Sequence, residues 1–84
     1  MAKAVRHKGR VVSRKGQGVA SALVAVARGT APTPEIGICC DQQGYFQIAL
    51  PPGRYVLEAR APDGKTGSVE IVTDEVSLAV EIVL

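Results

Sequence analysis

Aromatic residues are scarce in this chain. Tyr45, Phe46 and Tyr55 are the whole supply, and tryptophan is absent. A core made without many large rings has to come from Val, Ile, Leu and Ala, and the β-branched members of that set suit pleated sheet. Cysteine is limited to one adjacent pair, Cys39 and Cys40. A disulfide framework spaces its cysteines to close loops, and neighbours close none. The only histidine is His7. Without a CxxC spacing, two adjacent thiols and one imidazole do not complete a zinc site. The expectation is two reduced thiols in one strand, one facing in and one facing out, with no metal and no other cofactor.

Long apolar runs are also missing: none approaches the roughly 20 residues of a membrane helix, so no membrane insertion is expected. The opening "MAKAVRHKGRVV" has no apolar stretch followed by a small-residue cleavage site. The expected location is cytoplasmic, unless the domain is part of a longer or exported assembly. Acids are absent from residues 1–28, which carry seven cations, whereas residues 29–84 carry three cations against eight acids, for a net charge of +2. Such polarity suits an acidic partner at the basic N-terminal end, or a basic arm that keeps an edge strand soluble. No aromatic platform sits among these basic residues, so nucleic acid is not an expected partner.

What remains is one small globular domain of 84 residues, 46% hydrophobic and 21% charged. Alternation with period two runs through it, and helical spacing is hard to find. The pattern predicts strands over residues 9–13, 19–28, 36–40, 45–50, 54–61, 68–73 and 76–84, divided by Gly- and Pro-bearing turns. Pro32 and Pro34 place a loop between the second and third. Seven short strands at such intervals describe an antiparallel sandwich.

The stretch "DQQGYFQIALPPGRY" carries most of the fold information. Asp41 is suited to accept backbone N–H bonds within its own turn, and Gly44 to close that turn with positive φ. Phe46, Ile48 and Leu50 then share one face. Pro51 and Pro52 end the ladder, Gly53 turns the corner, and Tyr55 begins the partner strand toward the same core.

Taken together, Gly9 and Val11, "VASALVAV", "DQQGYF", "LPPGRY" and "LAVEIVL" resemble the carboxypeptidase regulatory-like domain over nearly the whole chain from about residue 8. The resemblance implies an all-β, seven-stranded antiparallel Greek-key sandwich of the transthyretin-like kind. It divides the chain into a basic arm, residues 1–7, and the sandwich, residues 8–84. It implies a usually non-catalytic module that supports folding, spacing or protein contact. His7 departs from the family pattern, which commonly places an apolar residue two before the first glycine.

Three features invite a chemical reading. "ARAPDGKT" fits a relaxed phosphate-loop pattern, but a strand-like "GSVEIVT" follows it where a helix N-terminus is required. His7 invites comparison with 5-hydroxyisourate hydrolase of the same fold superfamily. That enzyme uses more than one histidine and an arginine and ends in Tyr-Arg-Gly-Ser, whereas this chain ends "VEIVL", so no catalytic residue is expected. His7 reads instead as the start of an edge strand. Finally, alternation places Val12, Leu23, Ala25, Val56, Val72 and Val83 on outer faces, where grouping on one sheet would mark a surface for a protein partner or a homo-oligomer.

Overall fold

The structure, a computed structural model, describes residues 4–29 and 37–84. Alternation of buried and exposed side chains produces strand wherever it persists. Seven strands lie among the described residues: β1 Val5–Val12, β2 Leu23–Gly29, β3 Ile38–Cys39, β4 Tyr45–Leu50, β5 Gly53–Arg60, β6 Thr66–Thr73 and β7 Ala79–Val83. They form a three-stranded sheet of order β4-β1-β7 facing a four-stranded sheet of order β3-β2-β5-β6. The inner faces meet in an aliphatic core that includes Val11, Val24, Leu57 and Ile82, none of them with accessible surface.

One pairing departs from the antiparallel expectation. β7 runs parallel to β1, from Lys8 opposite Ala79 to Val12 opposite Val83. A period-two pattern fixes which residues face the core and is blind to strand direction. Direction is set here by the chain's passage from β6, in one sheet, to β7, in the other.

Strand limits differ for local reasons. β1 begins at Val5, so residues 5–7 belong to the sandwich and not to an N-terminal arm. β1 is also the central strand of its sheet, which removes His7 from any edge. β2 starts only at Leu23 because Ser21 takes a φ of 58°, which breaks extended backbone before it. β7 starts at Ala79, and Val76, expected to open it, is 69% exposed. The proline loop at Pro32 and Pro34 falls outside the described residues.

The turn before β4 is built by short side chains. Asp41 Oδ1 accepts from the backbone N–H groups of Gln43 and Tyr45, each at 2.9 Å. Gly44 closes the turn at φ 86°, and its carbonyl accepts from the Val11 N–H at 2.8 Å. Two residues on, Phe46 stands opposite Gly9 in the β1–β4 register, and its ring occupies the space a Cβ on Gly9 would need.

At the β4–β5 corner, Gly53 opens β5 with a positive φ of 158°. Fixed φ at Pro51 and Pro52 bends the chain. The Pro51 carbonyl then accepts from Tyr55 Oη at 2.7 Å and Thr73 Oγ1 at 2.9 Å, tying the bend to β5 and β6. Burial of Tyr55 pushes its phenol pKa up.

Candidate functional site

His7 occupies an inward position of β1, in line with Gly9 and Val11, and has no accessible surface. Its Nδ1 accepts from the Leu78 N–H at 3.0 Å, which fixes the neutral tautomer with the proton on Nε2. Nε2 is buried and has no hydrogen-bond partner among the described residues. The imidazole therefore replaces an apolar core residue and pins the start of β7. No substrate can reach it without opening the sandwich.

Burial pushes the His7 pKa below its ordinary value of about 6.5. In this direction the unfolded chain binds the proton more readily. The neutral imidazole's contribution to stability is present above pH of about 6.5 and is lost as pH falls through the folded value. Urea unfolding between about pH 7.5 and 5, where no other side-chain type ordinarily titrates, should show a falling midpoint, and His7→Gln should flatten that fall. An equal acid dependence in the variant would remove His7 as the cause.

The thiols divide as the alternation requires. Cys39 is exposed and Cys40 is buried, and both are free. Burial, with smaller contributions from Cys39 and Asp41, pushes the Cys40 pKa up to about 11. A thiol-exchange reagent should therefore titrate a single thiol in native protein and both after denaturation. Cys39→Ser should abolish the native signal, and two rapid native thiols would contradict this arrangement. Among the described residues no group of three metal-ligating side chains is assembled.

"ARAPDGKT" is a hairpin between β5 and β6. The Gly64 N–H donates to the Ala61 carbonyl at 2.9 Å, and Asp63 Oδ1 accepts from the Lys65 N–H at 3.0 Å. No helix terminus is available there to hold a phosphate.

The six apolar residues assigned to outer faces do not share one surface. Leu23, Ala25, Val56 and Val72 lie on the four-stranded sheet, with Leu23 53% and Val72 62% exposed and Val56 half-buried. Val83 stands on the other sheet, 48% exposed. Val12 is removed from the surface at 4% exposure, because the chain after β1 doubles back and pairs Gly18 with Val12. On the four-stranded sheet, Leu23, Ala25 and Ala27 floor an open depression of about 240 Å³ bordered by Glu58 and Arg60. A larger opening of about 450 Å³ runs past Cys39, Asp41, Phe46 and Gln47 beside β4.

Extending β1 back to Val5 also creates a feature that an N-terminal arm would have hidden. Arg6, Lys8 and Arg10 alternate along the outer side of the central strand. The Arg10 guanidinium lies 4.7 Å from the Tyr45 ring centroid, and its Nε donates to the Gln43 carbonyl at 3.0 Å. Tyr45 thus supplies an aromatic beside the basic residues that linear order does not reveal. The signal was present in "RHKGR", given a strand there.

Comparison with known proteins agrees with this architecture. The chain is similar to a DUF3823 family protein from Parabacteroides merdae ATCC 43184, at a TM-score of 0.70 and 21% identity, over 100% of this chain and 46% of that one. It therefore spans about half the length of that neighbour, and the likeness concerns the fold. No curated protein matches. The family profile of the carboxypeptidase regulatory-like domain matches residues 8–84, and the chain belongs to that family.

Proposed function

We propose that this domain is a non-catalytic interaction module that binds a partner protein, or a second copy of itself, through the outer face of the four-stranded sheet. The observation that carries this reading is the apolar floor of Leu23, Ala25 and Ala27 with Glu58 and Arg60 at its border. An apolar centre with a charged rim is the usual anatomy of a protein contact. The neighbouring edge strand is short, β3 pairing with β2 at Leu23 and Val24. The family is usually non-catalytic, and the buried setting of His7 supports the same conclusion.

The test is affinity capture from the source cells, with sedimentation over a range of concentrations. Leu23→Asp should abolish capture or self-association while leaving the melt unchanged, since Leu23 is half-exposed. A strict monomer that captures nothing, or a variant that captures as well as the parent, refutes the reading. Turnover of 5-hydroxyisourate that disappears in His7→Ala would establish an enzyme instead.

A second reading, a spacer or adaptor domain within a larger surface or secretion assembly, is favoured by one fact. The similar fold in the Parabacteroides merdae protein occupies less than half of its chain.

A further inference from the structure

The outer face of the three-stranded sheet differs in charge from that of the opposite sheet. In β1, alternate residues project from one side about 6.6–6.8 Å apart, which places Arg6, Lys8 and Arg10 in a straight row. Their cross-strand neighbours are mostly small or neutral: Arg6 faces Ala49, Lys8 faces Gln47 and Ala79, and Arg10 faces Tyr45 and Glu81. Among the described residues Glu81 is the one carboxylate directly opposite these three cations in the register, and Asp41 shares an opening with Lys8. Arg6 and Lys8 form no ion pair among the described residues. Adjacent like charges at this spacing repel by about 0.6 kcal/mol even in a water-like dielectric. An anion of matching period converts that repulsion into attraction.

We propose that this face docks an extended acidic segment of a partner polypeptide, with carboxylates at alternate positions lying over Arg6, Lys8 and Arg10. Extended peptide repeats its side chains with the same period as the strand beneath it, so the charges stay in step. Arg10 is already held by Tyr45 and the Gln43 carbonyl, which reduces the ordering needed on binding. Single-stranded nucleic acid matches the row less well. Binding there relies on several open rings for base stacking, and beside this row stands a single exposed aromatic, Tyr45, with the Arg10 guanidinium already over its ring. A second copy is no better, because the other outer face mixes Arg28, Arg54 and Arg60 with Glu58 and Glu70 and has no acidic excess. The proposal rests on the interaction-module reading but uses the opposite face.

The probe is a fluorescein-labelled peptide of alternating Asp and Thr, compared by anisotropy with a peptide of equal composition in which the Asp residues form one block. At about 50 mM salt the alternating peptide should bind about tenfold more tightly, and the binding should fade at about 500 mM. Lys8→Glu should lower the affinity about tenfold or more. Lys65→Glu, which changes net charge equally in the exposed β5–β6 hairpin, should leave it unchanged, with circular dichroism showing both variants folded. Equal binding of the two peptides, or equal losses in the two variants, would reduce the effect to bulk charge and overturn the proposal. So would preference for oligo-dT or for phosphatidylserine vesicles that Lys8→Glu abolishes. A protein that ignores the peptide but retains Leu23-dependent capture refutes this proposal alone.

Discussion

Phe46→Ala should unfold the domain at physiological temperature. Phe46 is 5% exposed, and its ring lies against the backbone of Gly9 on the neighbouring strand. Removing a buried ring costs about 3–5 kcal/mol, counting lost transfer energy and the cavity left behind. A domain of 84 residues has only about 4–13 kcal/mol of total stability. The ring cannot be replaced by local collapse, because the partner position is a glycine with no side chain to move inward. Urea titration followed by circular dichroism should show the transition at far lower denaturant, or no folded baseline at all. A cooperative melt near the parent temperature would show that the ring is peripheral. A double-mutant cycle adds precision: Gly9→Ala alone drives a methyl group into the ring, so in a Phe46→Ala background its effect should shrink or reverse.

Gly44→Ala should be the second severe change, separable from ordinary turn strain by comparison with Gly64→Ala. Both glycines have positive φ, 86° at Gly44 and 93° at Gly64. Left-handed backbone costs an alanine about 1–2 kcal/mol at either site. Around Gly64 nothing lies within 4 Å of an added Cβ. At Gly44 the Cβ would collide with the Val11 carbonyl oxygen and come within 2.8 Å of the Val19 nitrogen. Those atoms belong to a backbone network, Gly44 carbonyl to Val11 N–H and Val11 carbonyl to Val19 N–H, and cannot swing aside. Displacing one such bond adds about 1 kcal/mol or more. Gly64→Ala should therefore cost about 1–2 kcal/mol and Gly44→Ala about 2–4 kcal/mol, read as midpoint shifts in the same denaturant. Equal shifts would mean that φ alone governs the turn before β4.

The two predictions meet at one place. The Asp41–Gly44 turn aims β4 so that Phe46, Ile48 and Leu50 enter the core, and Gly9 makes room for the first of them. Sequence pattern was sufficient for the turn and for the inward face of β4, which depend on local chemistry and period, whereas Gly9 opposite Phe46 follows from the β1–β4 register.

His7 shows where that sufficiency ended. From linear order it read as the start of an edge strand. The fold instead continues β1 back to Val5 between two partners, which places the imidazole inside. Its burial depends on accepting the N–H of Leu78, 71 positions away. Val12 erred in the opposite sense, since alternation made it outward and the returning chain at Gly18 covered it. The expected apolar surface was divided for the same reason: parity identifies an outer residue without saying to which sheet it belongs.

The amino-acid order by itself determined the all-β class, the inward set of Phe46, Ile48 and Leu50 with Tyr55 on the partner strand, and the turn chemistry of Asp41 and Gly44. Those depend on side-chain period and on φ preferences, which act within a few residues. Only the tertiary structure decided that β7 runs parallel to β1, that His7 is buried, and that Arg6, Lys8 and Arg10 form a row beside Tyr45. These outcomes depend on which strands become neighbours. Pairing is settled by burying two whole sheets against each other, a collective energy that no short window of sequence contains.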